Sequence, residues 1–412
     1  MPSSRPRLTL GDATSLIRGA LEPTGTVRVG LELEWLTAPD DRGRGEADFG
    51  TVRAVADAVP FPGGSVVHFE PGGQLELSGP PAAGAAAACR AMAADATAVR
   101  EALAAVGVSL VAQGLAPDRP PRRVHDTPRY RAMEAFFDGD GPMGREMMCS
   151  TAAVQVNVDL HPGVGADRQW RLAHTLGPTL VAAFAHSPLR GGKPTGWLST
   201  RTAVWQRLDP TRTSPALTKG RLEDWVDYAL KARVMLIRDE GLGFVPIDTD
   251  LPLARWVEAG HELGWPTPSD VDYHLTTLFP PVRPRRWLEL RYLDAVPEPW
   301  WAVATAATVA LLHDADAALA ATEATRGTGG LWREAARDGL AHPRLASSAI
   351  ACFAAALEAL PRVGADDGLR DAFAAFAERY VARRRSPAHD LLESWPDSPS
   401  PSVTVGEGAS GA

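Results

Sequence analysis

The sequence predicts an α+β fold: a mainly antiparallel sheet with helices packed outside it and a helical C-terminal part. Three observations predict it. Four separated stretches alternate apolar and polar residues with a period of two, as half-buried strands do. One of them, Val66 to Gly79, turns back on itself through Pro71-Gly72-Gly73. From Pro299 onward the apolar spacing is helical, over roughly 299–322, 328–338, 344–359 and 366–385.

The elements follow in order. Residues 1–10 carry no pattern, and Asp12 is the expected cap of a helix over 13–21. Thr26–Leu36 reads as a strand with Val29, Leu31, Leu33 and Trp35 on one face and Glu32 and Glu34 on the other. A polar loop over 40–48 and a short helix over 50–59 lead to the hairpin. A three-residue loop pairs Glu70 with Gln74 and His68 with Glu76, so these four share one face; a two-residue loop would split Glu70 from Glu76. Pro80-Pro81 ends the hairpin. An alanine-rich helix over 83–106, a strand over 108–113, a loop over 117–128 and a helix over 129–138 come next. In Met147–His161, Val154, Val156, Val158 and Leu160 alternate with Gln155, Asn157, Asp159 and His161. A helix over 165–186 precedes a long aperiodic segment, 187–220, whose Trp, Arg and Thr content marks an ordered, functional loop. Helices over 222–230, 251–260 and 269–277, and strands over 233–238 and 286–292, complete the sheet region. The expected organisation is one catalytic domain over 12–390, with the sheet core at about 25–295, helices at about 298–386 and a disordered tail over 394–412.

The totals narrow the function. A net charge of −8 excludes a basic nucleic-acid face, and no apolar run reaches a membrane span, so neither nucleic acid nor membrane is expected as a partner. Three scattered cysteines and no apolar segment behind the N-terminus suit a reducing, cytoplasmic location. Nothing in the sequence separates monomer from homodimer.

One alternating strand fits a solvent-facing sheet equally well. Together, the polar faces hold Glu32, Glu34, Glu70, Glu76, Asp159 and Glu289 with Gln74, Gln155 and Asn157, and few hydroxyls or lysines. Like charges on neighbouring strand positions repel, and Glu32 and Glu34 lie only about 6–7 Å apart. Such a cluster persists when a cation offsets it, and an all-oxygen donor set suits Mg²⁺, with Mn²⁺ as the alternative. Arg291, beside Glu289 on one face, can neutralise phosphoryl oxygens. Trp205 and Trp300, in or after polar loops, are candidate pocket walls. Other motifs fail on context. Gly139–Gly144 matches G-x-G-x-x-G but follows a helix and contains Pro142; Gly192-Lys193 runs into Pro194 and is no P-loop. Cys149 reads as a buried thiol, and any ATP must be held through metals and arginines.

Five runs together, 30–35 (GLELEW), 69–79 (FEPGGQLELSG), 147–159 (MMCSTAAVQVNVD), 187–201 (SPLRGGKPTGWLSTR) and 287–291 (WLELR), resemble the second family of glutamate–cysteine ligases, the plant and bacterial branch, and within it the actinobacterial enzymes that feed ergothioneine synthesis. The resemblance covers roughly residues 25–320 in matching order. It implies a glutamine-synthetase-like fold whose curved sheet forms a funnel. It implies ATP, two or three Mg²⁺, L-glutamate and L-cysteine as ligands, joined through γ-glutamyl phosphate. By position it implies Glu32, Glu34, Glu70, Glu76 and Glu289 as metal ligands, and Arg291 and Arg201 as catalytic residues. It places Gln155 at a metal or nucleotide contact, Arg291 at the phosphates, and Arg201 and Trp300 near the amino acids. Beside it, Asn157, Lys193 and Arg129 are candidates on the nucleotide and Trp205, Arg212 and Met235 on the amino acids, with Lys193, Arg129 and Arg212 read as anchors for carboxylates or phosphates. After Tyr228-Ala-Leu, where relatives carry Asp-x-Pro, this chain has Lys231-Ala-Arg233, which leaves another acceptor amine open. A non-enzymatic protein holding structural cations on the same face is the other alternative.

Overall fold

The computed structural model describes residues 7–39, 44–161 and 164–395. The start of the chain, part of the 40–48 loop and the tail from 396 lie outside the described residues. The first helix runs Leu10–Gly19, and its cap is Thr9, not Asp12. The Thr9 hydroxyl accepts from the Asp12 N–H at 3.2 Å, and the Asp12 carboxylate accepts from the Thr9 N–H at 3.0 Å, a reciprocal capping box.

Among the described residues the strands are β1 (Val29–Ala38), β2 (Val66–Phe69), β3 (Leu75–Ser78), β4 (Ser109–Val111), β5 (Ala153–Asp159), β6 (Leu189–Arg190), β7 (Lys193–Pro194), β8 (Leu236–Asp239), β9 (Gly243–Pro246), β10 (Val282–Pro284) and β11 (Trp287–Asp294). The main sheet has the order β10-β11-β5-β1-β3-β2, with β4 added to the far end of β1, and every pairing is antiparallel. β6–β7 and β8–β9 are separate small hairpins. The strand expected over 233–238 is therefore not part of the sheet.

The β2–β3 hairpin has the register that the three-residue loop requires. His68 pairs with Glu76, and the Glu70 N–H donates to the Gln74 carbonyl at 2.9 Å. Gly73 supplies the left-handed step at φ 80°. Gly72 is needed for a different reason: a Cβ there would lie 2.0 Å from the Cys149 carbonyl oxygen, a backbone atom that cannot yield. Gly72→Ala is expected to cost about 3 kcal/mol or more through overpacking; a melting temperature within a degree of the wild type would contradict this.

Cys149 belongs to a helix, Met143–Ser150, that the alternation did not announce. It is eight residues long and abuts the strand pattern directly. Val29, Leu31, Leu33, Leu75, Leu77, Val154, Val156, Val158, Leu288 and Leu290 are all buried on the apolar face. The helices Ala85–Ala104, Ala166–Phe184 and Trp300–His313 pack against these strands. The C-terminal part is helical but more broken than its spacing suggests. Asp314 ends one helix and caps the next, accepting from the Ala317 N–H at 2.9 Å, and the chain bends there by 98°. The last long helix ends in a π turn at Ala377–Val381, and a further helix, Pro387–Ser394, follows. No single described helix is long and apolar enough to cross a membrane. Segment 187–220 is ordered: it folds as the β6–β7 hairpin and the short helices Thr200–Trp205 and Pro210–Thr213.

Candidate active site

Strand register turns the alternation into rows on the polar face. Arg283 of β10 pairs with Glu289 of β11, Glu289 with Asn157 of β5, and Asn157 with Gly30 of β1. One row along, Gln155 pairs with Glu32 and Glu32 with Ser78. In the next row Glu34 pairs with Glu76 and Glu76 with His68. Between Leu290 and Leu293 the β11–β5 register shifts, and Arg291 sits in that irregularity. Such bulges re-aim a side chain. Arg291 Nη1 donates to Gln155 Oε1 at 2.6 Å and to Glu289 Oε1 at 2.5 Å.

This face is the floor of a cavity of ≈ 590 Å³ bordered by Glu32, Glu34, Glu70, Glu76 and Glu289, together with Gln155, Arg129, Arg201, Trp205 and Arg291. A second, more apolar chamber of ≈ 310 Å³ adjoins it. Arg201, Trp205, Phe279 and Arg291 border both, so they form the partition.

Four of the five glutamates are held by a neighbouring side chain. Glu32 accepts from Asn157 Nδ2 at 3.1 Å, Glu34 from Gln155 Nε2 at 2.8 Å, and Glu76 from Ser78 Oγ at 2.9 Å. Glu289 is clamped by Arg283, whose Nε and Nη2 reach its two oxygens at 2.8 and 2.9 Å. Burial and then the Glu70 charge push the Glu34 carboxyl up to about 8. Burial and then Glu76 raise Glu70 to about 7; burial and then Glu32 raise Glu76 to about 8. Glu32 is raised by burial and by Glu289. Burial also opposes ionisation of Glu289, but Arg283 and Arg291 together outweigh it and hold Glu289 down at about 2.

A carboxyl whose folded pKa exceeds its unfolded value contributes stability at low pH that is lost as pH rises through the folded value. The buried histidines His174, His274 and His313 are all lowered by burial, so they stop affecting stability above their ordinary 6.5. In chelator, the melting temperature should therefore fall by several degrees between pH 6.5 and 8, below the range in which the buried thiols, raised to about 12, begin to matter; a flat profile would show that the acidic floor is not strained.

The remaining candidates divide. Arg129 borders the cavity, and its Nη2 reaches the Thr276 carbonyl at 3.3 Å. Arg201 is buried, with Nη2 on the Arg291 carbonyl at 2.8 Å and Nη1 3.9 Å from Asp294. Asn157 is not on the cavity wall; it orients Glu32 and accepts from Trp287 Nε1 at 3.2 Å. Four residues lie elsewhere. Lys193 is exposed on the β6–β7 hairpin. Trp300 packs on Phe376 and Tyr380, with ring centroids at 5.4 and 5.7 Å. Arg212 is fully buried and spent on Asp209 at 3.0 Å and on the Thr277 and Arg233 carbonyls at 2.8 and 2.6 Å, so it is a strut. Met235 fills an apolar cluster with Phe136, Met147 and Val204. Arg233, at the departure from the relatives' pattern, pairs with Asp140 at 3.2 Å.

Sequence reasoning missed Arg283, Arg285, His125 and Tyr130, which also border the cavity. Arg283 was legible in principle, because it faces Glu289 across a pair of strands. Its strand is three residues between Pro281 and the terminal Pro284, which conceals the period.

Among the described residues, no three Asp, Glu, His or Cys side chains converge closely enough to hold a metal ion as they stand. The donor set nevertheless fits a hard cation. It is oxygen-only, and of the five glutamates only Glu289 has an arginine within ion-pair distance among the described residues.

An antiparallel floor of glutamates backed by arginines, opening onto a second chamber, suits phosphoryl transfer, in which phosphate charge is offset by cations and guanidinium groups. The comparisons are more specific. Residues 28–408 match the model of the glutamate–cysteine ligase family 2 (GCS2), and the chain belongs to that family. It is 44% identical over 377 residues to the glutamate–cysteine ligase EgtA of Mycolicibacterium smegmatis, covering 89% of this chain and 86% of that one. The EgtA of Mycobacterium tuberculosis H37Rv is 45% identical, covering 89% and 85%. A chloroplastic glutamate–cysteine ligase of Brassica juncea is 32% identical over 262 residues, covering 61% of this chain and 50% of its own length. In fold, the chain is similar to the glutamate–cysteine ligase (gshA) of Francisella tularensis solved in complex with AMP. The TM-score is 0.52 at 11% identity, covering 90% of this chain and 85% of that one.

Proposed function

We propose that the protein joins the γ-carboxylate of L-glutamate to the amine of L-cysteine at the expense of ATP, giving γ-glutamylcysteine, ADP and phosphate. The observation that carries this is the floor itself, with five buried or half-buried glutamates and Arg291 facing one cavity. A carboxylate is a poor electrophile. Moving the γ-phosphoryl group of ATP onto a γ-carboxylate oxygen breaks the bond to ADP and forms γ-glutamyl phosphate. The cysteine amine then attacks the γ-carbonyl carbon, loses a proton, and phosphate leaves with the electron pair of the broken C–O bond.

Such a transfer needs charge neutralised and groups aligned more than it needs a protein nucleophile. Glu32, Glu34, Glu70, Glu76 and Glu289 would hold two or three Mg²⁺, or Mn²⁺, which when bound offset phosphate charge. Arg291, with Gln155 orienting it, faces phosphoryl oxygens, and Arg129 lies on the nucleotide side. Arg201 in the partition anchors a substrate carboxylate, and Trp205 and Phe279 beside it exclude water from the acyl phosphate. The sheet is read as the curved, funnel-like floor of the glutamine-synthetase-type fold. Residues 12–390 act as one catalytic unit, supported by a single cluster of buried apolar side chains running from Ala13 to Val381. The similarity to EgtA supports a place in ergothioneine synthesis.

The test is ADP release with Mg²⁺, glutamate and a panel of amines. Cysteine alone should stimulate it; another amine doing so would replace the acceptor, and no ADP with any amine would remove the ligase reading. Arg201→Ala should lower kcat/KM by about 10–100-fold, the worth of a charged hydrogen bond; unchanged kinetics would remove Arg201 from the site.

A further inference from the structure

A separate cavity of ≈ 390 Å³ lies at the back of β1, bordered by Trp35, Gln113, His186, Glu298 and Trp301, with Arg100 at Glu298. It shares no residue with the two catalytic chambers. Trp35 points away from Glu32 and Glu34 because successive strand residues face opposite sides.

Its chemistry is mixed in a specific way. Trp35 and Trp301 offer apolar walls, each 3% exposed. Arg100 and Glu298 bring opposite charges within 3.6 Å, and both remain partly exposed. A solvated pair of this kind holds together weakly, so it opens to a ligand at little cost. Gln113 is 5% exposed, yet its side-chain amide has no hydrogen-bond partner among the described residues. Facing the cavity, that primary amide offers two donors and an acceptor to whatever enters it.

We propose that this cavity is a regulatory site for a small neutral amino acid. Its carboxylate is drawn to Arg100 and its ammonium to Glu298. Its side chain lies against the tryptophans, with a polar atom on the Gln113 amide. The binding does not rest on the ligase reading; only the kinetic part of the test does.

The wall of this cavity is also the support of the partition between the catalytic chambers. The His186 backbone N–H donates to Asp294 Oδ2 at 2.9 Å. Gly114, next to Gln113, donates its N–H to the His186 carbonyl at 3.0 Å, and a Cβ on Gly114 would lie 2.6 Å from Asp294 Cγ. Asp294 in turn faces Arg201, which borders both chambers. A ligand pulling on Gln113 therefore bears on the carboxylate that positions Arg201. Packed interiors pass such displacements on because they have no slack.

The experiment uses the full chain with L-glutamine, L-histidine and L-phenylalanine as probes, at saturating glutamate, cysteine and MgADP so that the catalytic chambers are filled. Tryptophan fluorescence and the melting temperature report binding. At least one probe should bind with a Kd of about 1 mM or tighter. Gln113→Leu and Arg100→Ala should each weaken it about tenfold while ADP release without probe stays within about twofold. Arg100 is at the mouth, so its truncation does not threaten folding. The bound probe should change wild-type ADP release by about twofold or more, and not that of the variants. No binding by any probe at about 10 mM, or binding unaffected by either variant, would overturn the site. Binding without a change in turnover would overturn its regulatory role.

Discussion

Glu76→Gln should lower ADP release by about 10³-fold and at the same time raise the melting temperature of the metal-free protein at pH 8.5. The two effects have one cause. Glu76 sits opposite Glu34 across β1 and β3, and its carboxyl is pushed up to about 8 by burial and by Glu32. A glutamine imitates the protonated acid, keeps the acceptor for Ser78, and removes a charge that the fold tolerates poorly. Glu289→Gln should be equally damaging to turnover but opposite in stability. It leaves Arg283, buried to 7% exposure, without its bidentate partner, and breaking a buried pair costs about 3 kcal/mol or more. Activity and melting curves of the two variants side by side make the check. Equal stability changes would mean that the glutamates are not electrostatically distinct, and near-normal turnover in both would remove the floor from catalysis.

Asp294→Ala should have the second large effect, with a loss of about 3–5 kcal/mol. Asp294 is 2% exposed and accepts from Ser187 Oγ at 2.7 Å, Ser199 Oγ at 2.9 Å and the His186 N–H at 2.9 Å, with Arg201 at 3.9 Å. Truncation leaves three donors and a buried guanidinium unanswered. Asp294→Asn keeps the shape and one acceptor, so it should retain the fold and lose substrate affinity. Denaturant midpoints and the KM for glutamate separate the two. An Asp294→Ala protein as stable as the wild type would mean that the 187–201 segment is held by something else.

The strands and their register were legible because a period of two leaves little freedom: the loop length alone fixed Glu70 beside Gln74 and His68 beside Glu76. The cap at Thr9 was also readable, since Thr-x-x-Asp is a capping box in which Asp12 is the third helical residue and not the cap. Roles that depend on tertiary neighbours were not readable. Arg212 and Arg201 look alike in sequence; one is enclosed by Asp209 and two carbonyls, the other faces both chambers. Trp300 and Trp301 are adjacent, yet one joins an aromatic cluster and the other borders a cavity. Lys193 was drawn in by its motif and lies on an exposed hairpin. Arg283 was hidden by prolines.

Gln74 Nε2 donates to the Met148 and Thr151 carbonyls at 3.2 and 2.9 Å, and Gly72 rests on Cys149. The hairpin carrying Glu70 and Glu76 is thereby riveted to the end of the helix that runs straight into β5 and Gln155. The acidic side of the cavity thus moves as one plate, and a shift of Glu76 relative to Gln155 would require breaking both bonds. Opening for substrates is expected instead on the opposite wall, at residues 205–215 and 276–281, which carry none of the glutamates and none of their hydrogen-bond partners.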